Sequence, residues 1–295
     1  MNNPDSEWQG YAFSVGASTL FALIPWYLQL LSPLGGNVLF GHRLLVQLVC
    51  ALMIVIAIRQ MPALLACLSS PRRLAILLLT APLIALQWWL FFWAPVNGYT
   101  VDMAMGYFFL PLTMAFTGRL VFAERLRPLQ WFALLFAIAG VSFELWSTGT
   151  FSWVTLLVCL GYPPYFILRR RLPVDTRLNF AAENVLLLPA GLLFLTIAAS
   201  NGERLVPDAD YGLLLLFGAG AIGTVAMLMF LAASTRLSFT VFGLLGYLEP
   251  VLLMAVALFA LGESISQEQF FSYGLFTASI ALVVGDTLFR WNTRW

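Results

Sequence analysis
Arg43, preceded by His42, stands about a third of the way along an apolar stretch at 36–58. At such a depth in a membrane helix an arginine costs at least ~2.5 kcal/mol, so it must face a partner or a wet cavity. Its planar fork of donors grips a carboxylate bidentately, which makes a carboxylate ligand one reading. An ion pair with Glu183, or snorkelling towards the outer face, is the structural alternative. His42 is the only histidine. Neighbouring helix positions diverge by ~100°, so the two side chains point apart, and His42 either relays protons or satisfies a backbone group. Glu183 opens a stretch at 179–199, where a poorly hydrated carboxyl can carry a proton or simply favour the helix N-terminus. Glu249 precedes Pro250 inside a stretch at 239–261. Proline removes a backbone donor there, exposing carbonyls beside a carboxyl, so Glu249 is either a ligand or proton site or a partner for that backbone.

Aromatic side chains complete this set. Trp88, Tyr107, Tyr165 and Tyr247 fit the wall of a pocket for a flat, amphipathic molecule, which needs apolar surfaces with a few fixed polar groups. Trp26, Tyr27 and Trp93 read instead as interfacial belt residues. Pro25, Pro111, Pro163-Pro164, Pro189 and Pro250 are expected to break or kink their helices, as hinges or as static bends. Asp102, Glu144 and Asp286 fall near the ends of their stretches and are expected to be solvated.

The elements that must position these residues follow from composition. The chain has 295 residues, 61% hydrophobic and only 10% charged, against about a quarter charged in soluble domains. Ten apolar stretches of the length a spanning helix needs fall at 9–31, 36–58, 74–94, 101–122, 129–146, 151–168, 179–199, 211–233, 239–261 and 268–289. Met1–Glu7 carries no basic residue, so no cleaved signal is expected and the first helix should be retained. Cys50, Cys67 and Cys159 offer neither a disulfide framework nor a metal spacing. A net charge of +1 argues against nucleic acid as a partner. All 15 basic residues are arginine. Without lysine there is no Gly-Lys-[Ser/Thr] nucleotide loop and no lysine Schiff base, and one histidine cannot make a histidine-rich metal site. No cofactor is expected, and the intramembrane protease motifs are missing.

Thirteen arginines flank the even-numbered links or the tail: Arg59, Arg72, Arg73, Arg119, Arg125, Arg127, Arg169, Arg170, Arg171, Arg177, Arg236, Arg290 and Arg294. Only Arg204 falls in an odd-numbered link. Cytoplasmic links retain positive charge, so both termini are expected in the cytoplasm.

The sequence also repeats itself. Gly106-Tyr107, Pro111, Glu124-Arg125-Leu126 and Gln130-Trp131 are echoed by Gly246-Tyr247, Pro250, Glu263-Ser264-Ile265 and Gln269-Phe270. Proline to glutamate is thirteen residues in both copies and glutamate to glutamine is six, while the Gly-Tyr pair slips by one. The unit is five helices, 1–147 and 148–295, and an odd number of crossings inverts the second copy. The first copy of the link carries Arg125 and Arg127; the second carries no base. Inverted repeats are a common plan of secondary transporters, with the site between the halves near the midplane. Pro111, Glu124, Pro250 and Glu263 are then expected at gates or packed loops.

These stretches carry a family resemblance. Gly41-His42-Arg43, Met105 to Leu112, Glu124 to Trp131, Gly140-Val141, Glu183 with Leu186 to Pro189, and Arg236-Leu237 with Gly243-Leu244, Tyr247 and Pro250 resemble the RarD subfamily of the EamA-type drug/metabolite transporters. The chain departs from that pattern at Asn37, Gln87 and Glu249. The resemblance implies an all-α membrane protein, ten helices as two inverted five-helix repeats, in a bacterial inner membrane. It also implies export of small organic metabolites, as a monomer or weak homodimer. Proton coupling through a carboxyl is the preferred energy source, with passive uniport as the alternative and a non-transporting receptor or assembly protein as the rival.

Overall fold
The computed structural model describes residues 4–31, 34–149, 151–172, 175–208, 211–260 and 267–292. Among these, regular structure is entirely helical: α1 (Pro4–Gln29), α2 (Gly36–Ala57), α3 (Met61–Ser69), α4 (Pro71–Val96), α5 (Thr100–Leu120), α6 (Pro128–Thr148), α7 (Trp153–Arg169), α8 (Thr176–Ser200), α9 (Gly212–Arg236), α10 (Phe239–Leu245), α11 (Leu248–Ala260) and α12 (Gln267–Asn292). All ten apolar stretches are helical. Eight helical spans are long and apolar enough to cross a membrane, with α10 running into α11 as one of them. The remaining two stretches are α7, apolar but only 17 residues long, and α5, which carries Asp102 and Arg119 near its ends.

Two features differ from expectation. Helix α3 lies where a bare link was expected. It forms because Pro62 is tolerated in a first helical turn and because Leu64 and Cys67 bury on one side while Met61 and Leu65 stay exposed. The ninth stretch breaks at Gly246–Tyr247, not at Pro250. Pro250 sits in the first turn of α11, where its missing N–H has no intrahelical acceptor to lose. The other helices run on through Pro25, Pro111, Pro163-Pro164 and Pro189. Glu263 lies outside the described residues.

The chain divides into two compact units. Unit one comprises 1–22, 101–163 and 232–295. In it α6 and α12 run antiparallel at close range. Gly140 leaves room for the Phe276 ring, which would lie 2.6 Å from a Cβ there, and Ser279 donates to the Ala133 carbonyl at 2.8 Å. At one end Gln130 and Arg127 hold Asp286, at 3.1 and 2.9 Å. Asp286 and Glu144 are both buried, which corrects the expectation that they are solvated: being near a helix end does not expose a side chain that faces a neighbouring helix. Tyr247 donates to the Phe108 carbonyl at 3.0 Å, and its ring stacks on Phe276 with centroids 4.6 Å apart.

Unit two comprises 23–100 and 164–231. Here α2 and α8 make the closest pair. Gly41 faces Leu195 and the Gly191 carbonyl, and a Cβ at 41 would come within 2.8 Å of the leucine. Phe40 meets Phe194 edge to face at 4.9 Å. Helix α4 joins α2 where the Trp89 indole donates to Asn37 at 3.1 Å.

Candidate substrate site
Arg43, His42, Trp88, Tyr165 and Glu183 fall in unit two. Arg43 is buried, 8% exposed. Its guanidinium lies 5.1 Å from the Trp88 ring centroid and 5.7 Å from that of Phe92, both on α4. Cation–π contact of this kind helps a desolvated arginine by about 0.5–2 kcal/mol. Gly223 of α9 lies beside it: a Cβ there would sit 3.5 Å from Cζ. One turn along α2, Gln47 is 0% exposed, and both its amide oxygen and nitrogen lack a hydrogen-bond partner. Sequence reasoning passed over Gln47, although its i,i+4 spacing from Arg43 puts both on one helix face. Trp88 packs edge to face on Phe180 of α8 at 6.4 Å.

His42 points elsewhere, as its adjacent position demands. Its Nε2 lies 2.7 Å from the Leu205 carbonyl. A carbonyl only accepts, so Nε2 carries the proton. Of the two readings offered for His42, the geometry matches that of a residue satisfying backbone.

Glu183 and Tyr165 come together, with a partner the sequence reading had assigned to a link. Arg169, in the last turn of α7, is buried. Its Nη1 lies 2.5 Å from Glu183 Oε2 and donates to the Tyr165 hydroxyl at 3.0 Å. Tyr165 in turn donates to the same Glu183 oxygen at 3.2 Å, and Arg169 Nη2 donates to the Thr176 carbonyl at 2.9 Å. Glu183 is 0% exposed. It stands in the second turn of α8 rather than the first, because α8 begins at Thr176, capped by Asp175. The signal for Arg169 was its i,i+4 spacing from Tyr165, hidden in an Arg-Arg-Arg run that reads as surface charge. Cys67 of α3 lies nearby, its thiol 4.0 Å from Asn179 Oδ1. Burial pushes that thiol above its ordinary range, with the Arg73 charge pulling it back and Glu183 pushing it further.

Tyr107, Tyr247, Glu249, Pro111, Glu124 and Pro250 belong to unit one. The Tyr247 hydroxyl is engaged by the Phe108 carbonyl, and Glu249 lies half-buried in the first turn of α11. Glu124 caps α10: its two oxygens accept from the Phe239 and Thr240 N–H groups at 2.6 and 2.9 Å. Ala123, in a left-handed conformation at φ 52°, precedes Glu124 and turns the chain towards that cap.

Residues 150–285 match the EamA-like transporter family. The chain is 40% identical to the chloramphenicol-sensitive protein RarD of Pseudomonas aeruginosa, over 95% of this chain and 94% of that protein. It is 33% identical to an uncharacterized transporter of Pasteurella multocida, over 97% and 99%, and 27% identical to protein RarD of Escherichia coli, over 95% of each. A crystal structure of a protein 16% identical matches with a TM-score of 0.70, covering 96% of this chain and 97% of the other; that likeness is one of fold. With apolar helices of spanning length and relatives matched from end to end, the chain is a multi-pass membrane protein of a transporter family, and belongs to the RarD subfamily of the EamA-like transporters.

Proposed function
We propose that the protein is a secondary transporter that exports small organic metabolites bearing a carboxylate across the bacterial inner membrane. The observation that carries this reading is Arg43, buried within an apolar helix against Trp88 and Phe92. A guanidinium set among ring faces has the planar geometry that pairs with a carboxylate, and the rings suit an aromatic or amphipathic body. Gln47 adds a donor and an acceptor on the same face of α2. Trp88 is a wall of this site; Tyr165 and Glu183 form its charged boundary through Arg169. With no nucleotide loop in the sequence, transport runs on a gradient, and proton coupling through a carboxyl is the preferred form.

Alternating access follows from two inverted five-helix repeats, 1–147 and 148–295, with ten spans and both ends cytoplasmic. Three features support this. Each unit draws helices from both halves of the chain. The closest antiparallel pair in each unit joins counterparts: the fifth and tenth stretches as α6 and α12, the second and seventh as α2 and α8. Pro111 and Pro250, Glu124 and Glu263, and Gln130 and Gln269 all lie 139 residues apart, and so do Phe108 and Tyr247, which touch each other. A residue meets its own counterpart only near a two-fold axis.

Reconstituted protein in liposomes, loaded with radiolabelled aromatic amino acids and related acids, tests the reading by counterflow. Flux is expected from wild-type protein and is expected to vanish in Arg43→Ala with expression normal. No movement of any solute under any imposed gradient would remove the transporter reading, and unchanged flux in Arg43→Ala would remove Arg43 from the site.

A further inference from the structure
Glu144 is a buried carboxylate that nothing above uses. It lies one turn before the end of α6, 6% exposed, and its Oε2 has no hydrogen-bond partner. Among the described residues it makes no ion pair. No base in the neighbouring sequence can supply one. The stretches 101–118, 128–163 and 237–289, which make up most of unit one, contain no arginine, lysine or histidine, yet hold Asp102, Glu144, Glu249, Glu263, Glu268 and Asp286. The arginines of this unit, Arg119, Arg125, Arg127, Arg236, Arg290 and Arg294, follow or precede these stretches; one of them, Arg127, is committed to Asp286.

The surroundings of Glu144 are aromatic. It stands one turn beyond Gly140, where α6 admits the Phe276 ring of α12. Phe276 is stacked on Phe108 at 5.2 Å and on Tyr247 at 4.6 Å. Tyr273 stands one turn before Phe276, as Glu144 stands one turn beyond Gly140 on the antiparallel α6; it is half-buried, meets the Phe276 ring edge to face at 6.1 Å and lies close enough to Glu144 for the two to interact. From α5, Met105 accepts from Thr148 at 3.6 Å, with Asp102 in the first turn as the charged group on that side. No cation faces Glu144 from α6 or α5, and on α12 the only base is Arg290, near the far end of that helix.

Leaving a charge buried with no partner is strongly destabilising, and acidic residues inside membrane helices pair or mark a solute path. Among the described residues nothing supplies the counter-charge to Glu144, and a bound cation would. The faces of aromatic rings attract cations, more so when water is excluded, and a surplus of carboxylates concentrates cations near them. We propose that Glu144, with Tyr273 beside it, binds the ammonium group of an organic cation. The proposal rests on the transporter reading in taking that cation to be part of the transported solute, and so names amines and zwitterions as its substrate class. The carboxylate is covered in this conformation, and the Tyr273 ring is the neighbour that yields when the ligand enters.

The test is calorimetric titration of the purified full chain with benzyltrimethylammonium, whose charge is permanent, and with phenylpropionate as its anionic counterpart. Wild-type protein is expected to bind the cation, Glu144→Gln to bind it about tenfold more weakly or worse, and Tyr273→Leu a few-fold more weakly. Glu268→Gln, an exposed acid in the first turn of α12, is expected to change nothing. If Glu144→Gln fails to elute as a single species, Tyr273→Leu and Glu144→Asp decide, with weaker cation binding expected in both. Absence of cation binding by wild-type protein overturns the proposal; so does undiminished binding in the variants. Cation binding without liposome flux leaves this site standing and removes the transporter reading; flux without cation binding does the reverse.

Discussion
Glu183 and Arg169 show what a charge requires once a membrane protein has buried it. Each is nearly or wholly withdrawn from solvent, and the desolvation cost of the pair is offset only while both are present. Arg169→Ala should therefore destabilise the protein by about 3–5 kcal/mol, whereas Arg169→Met combined with Glu183→Leu should recover most of the loss; melting in detergent reads both. Near-additive losses from the two single changes would mean that the pair is not acting as a unit. Arg43 was legible as a residue out of place in an apolar stretch, and so was Glu183. Arg169 was not, because one-dimensional reading cannot tell the last turn of a helix from the link that follows it. Cys67 belongs to the same neighbourhood. Its buried thiol is held above its ordinary range chiefly by desolvation, so it stays protonated at neutral pH and should react far more slowly with a maleimide than an exposed cysteine, which thiolate chemistry governs. Rapid labelling of Cys67 in native protein would contradict its burial.

Helices were the most readable elements, since ten apolar stretches of spanning length are a strong pattern and all ten are helical. What the pattern hid was anything set by a neighbour. The break at Gly246–Tyr247 comes where Tyr247 turns to the Phe108 carbonyl and where α10 closes on α5: a Cβ at Gly243 would come within 2.7 Å of Met114. The proline three residues later was the more obvious marker and is only a permitted first-turn residue. Glu124 reads in sequence as a loop acid, yet its carboxylate supplies the acceptors for two N–H groups at the start of α10. Glu124→Ala should cost about 1–2 kcal/mol, the range measured for lost N-caps, seen as a lower melting temperature. Gly140→Ala tests the α6–α12 contact. The added methyl meets a Phe276 ring already stacked on Phe108 and Tyr247, so the ring cannot swing away cheaply, and overpacking by about 1–3 kcal/mol is expected. A melting temperature equal to wild type would show that α12 shifts to accommodate it.

At the scale of the molecule, the arrangement of charge is what links the sequence to a mechanism. Arginines mark one set of links, and the two copies of the glutamate turn differ in them: Arg125 and Arg127 follow Glu124, while no base follows Glu263 before Arg290. That asymmetry was readable because orientation in a membrane is recorded in the position of positive charge. The grouping of helices into units was not, because it depends on pairings between residues more than a hundred positions apart, such as Ser279 with Ala133. An inverted repeat makes one demand that neither homology nor packing can satisfy by itself: the two glutamate turns must face opposite sides of the membrane. The three native cysteines are all buried, so single cysteines introduced as Arg125→Cys and Ser264→Cys can be labelled over a low background with a membrane-impermeant maleimide. Intact cells should label position 264 at once and position 125 only after the membrane is opened. Labelling of both from one side would mean that the copies run in the same sense. The contact between Phe108 and Tyr247 would then be no sign of a two-fold axis, and alternation between mirrored halves would lose its physical basis even if flux were observed.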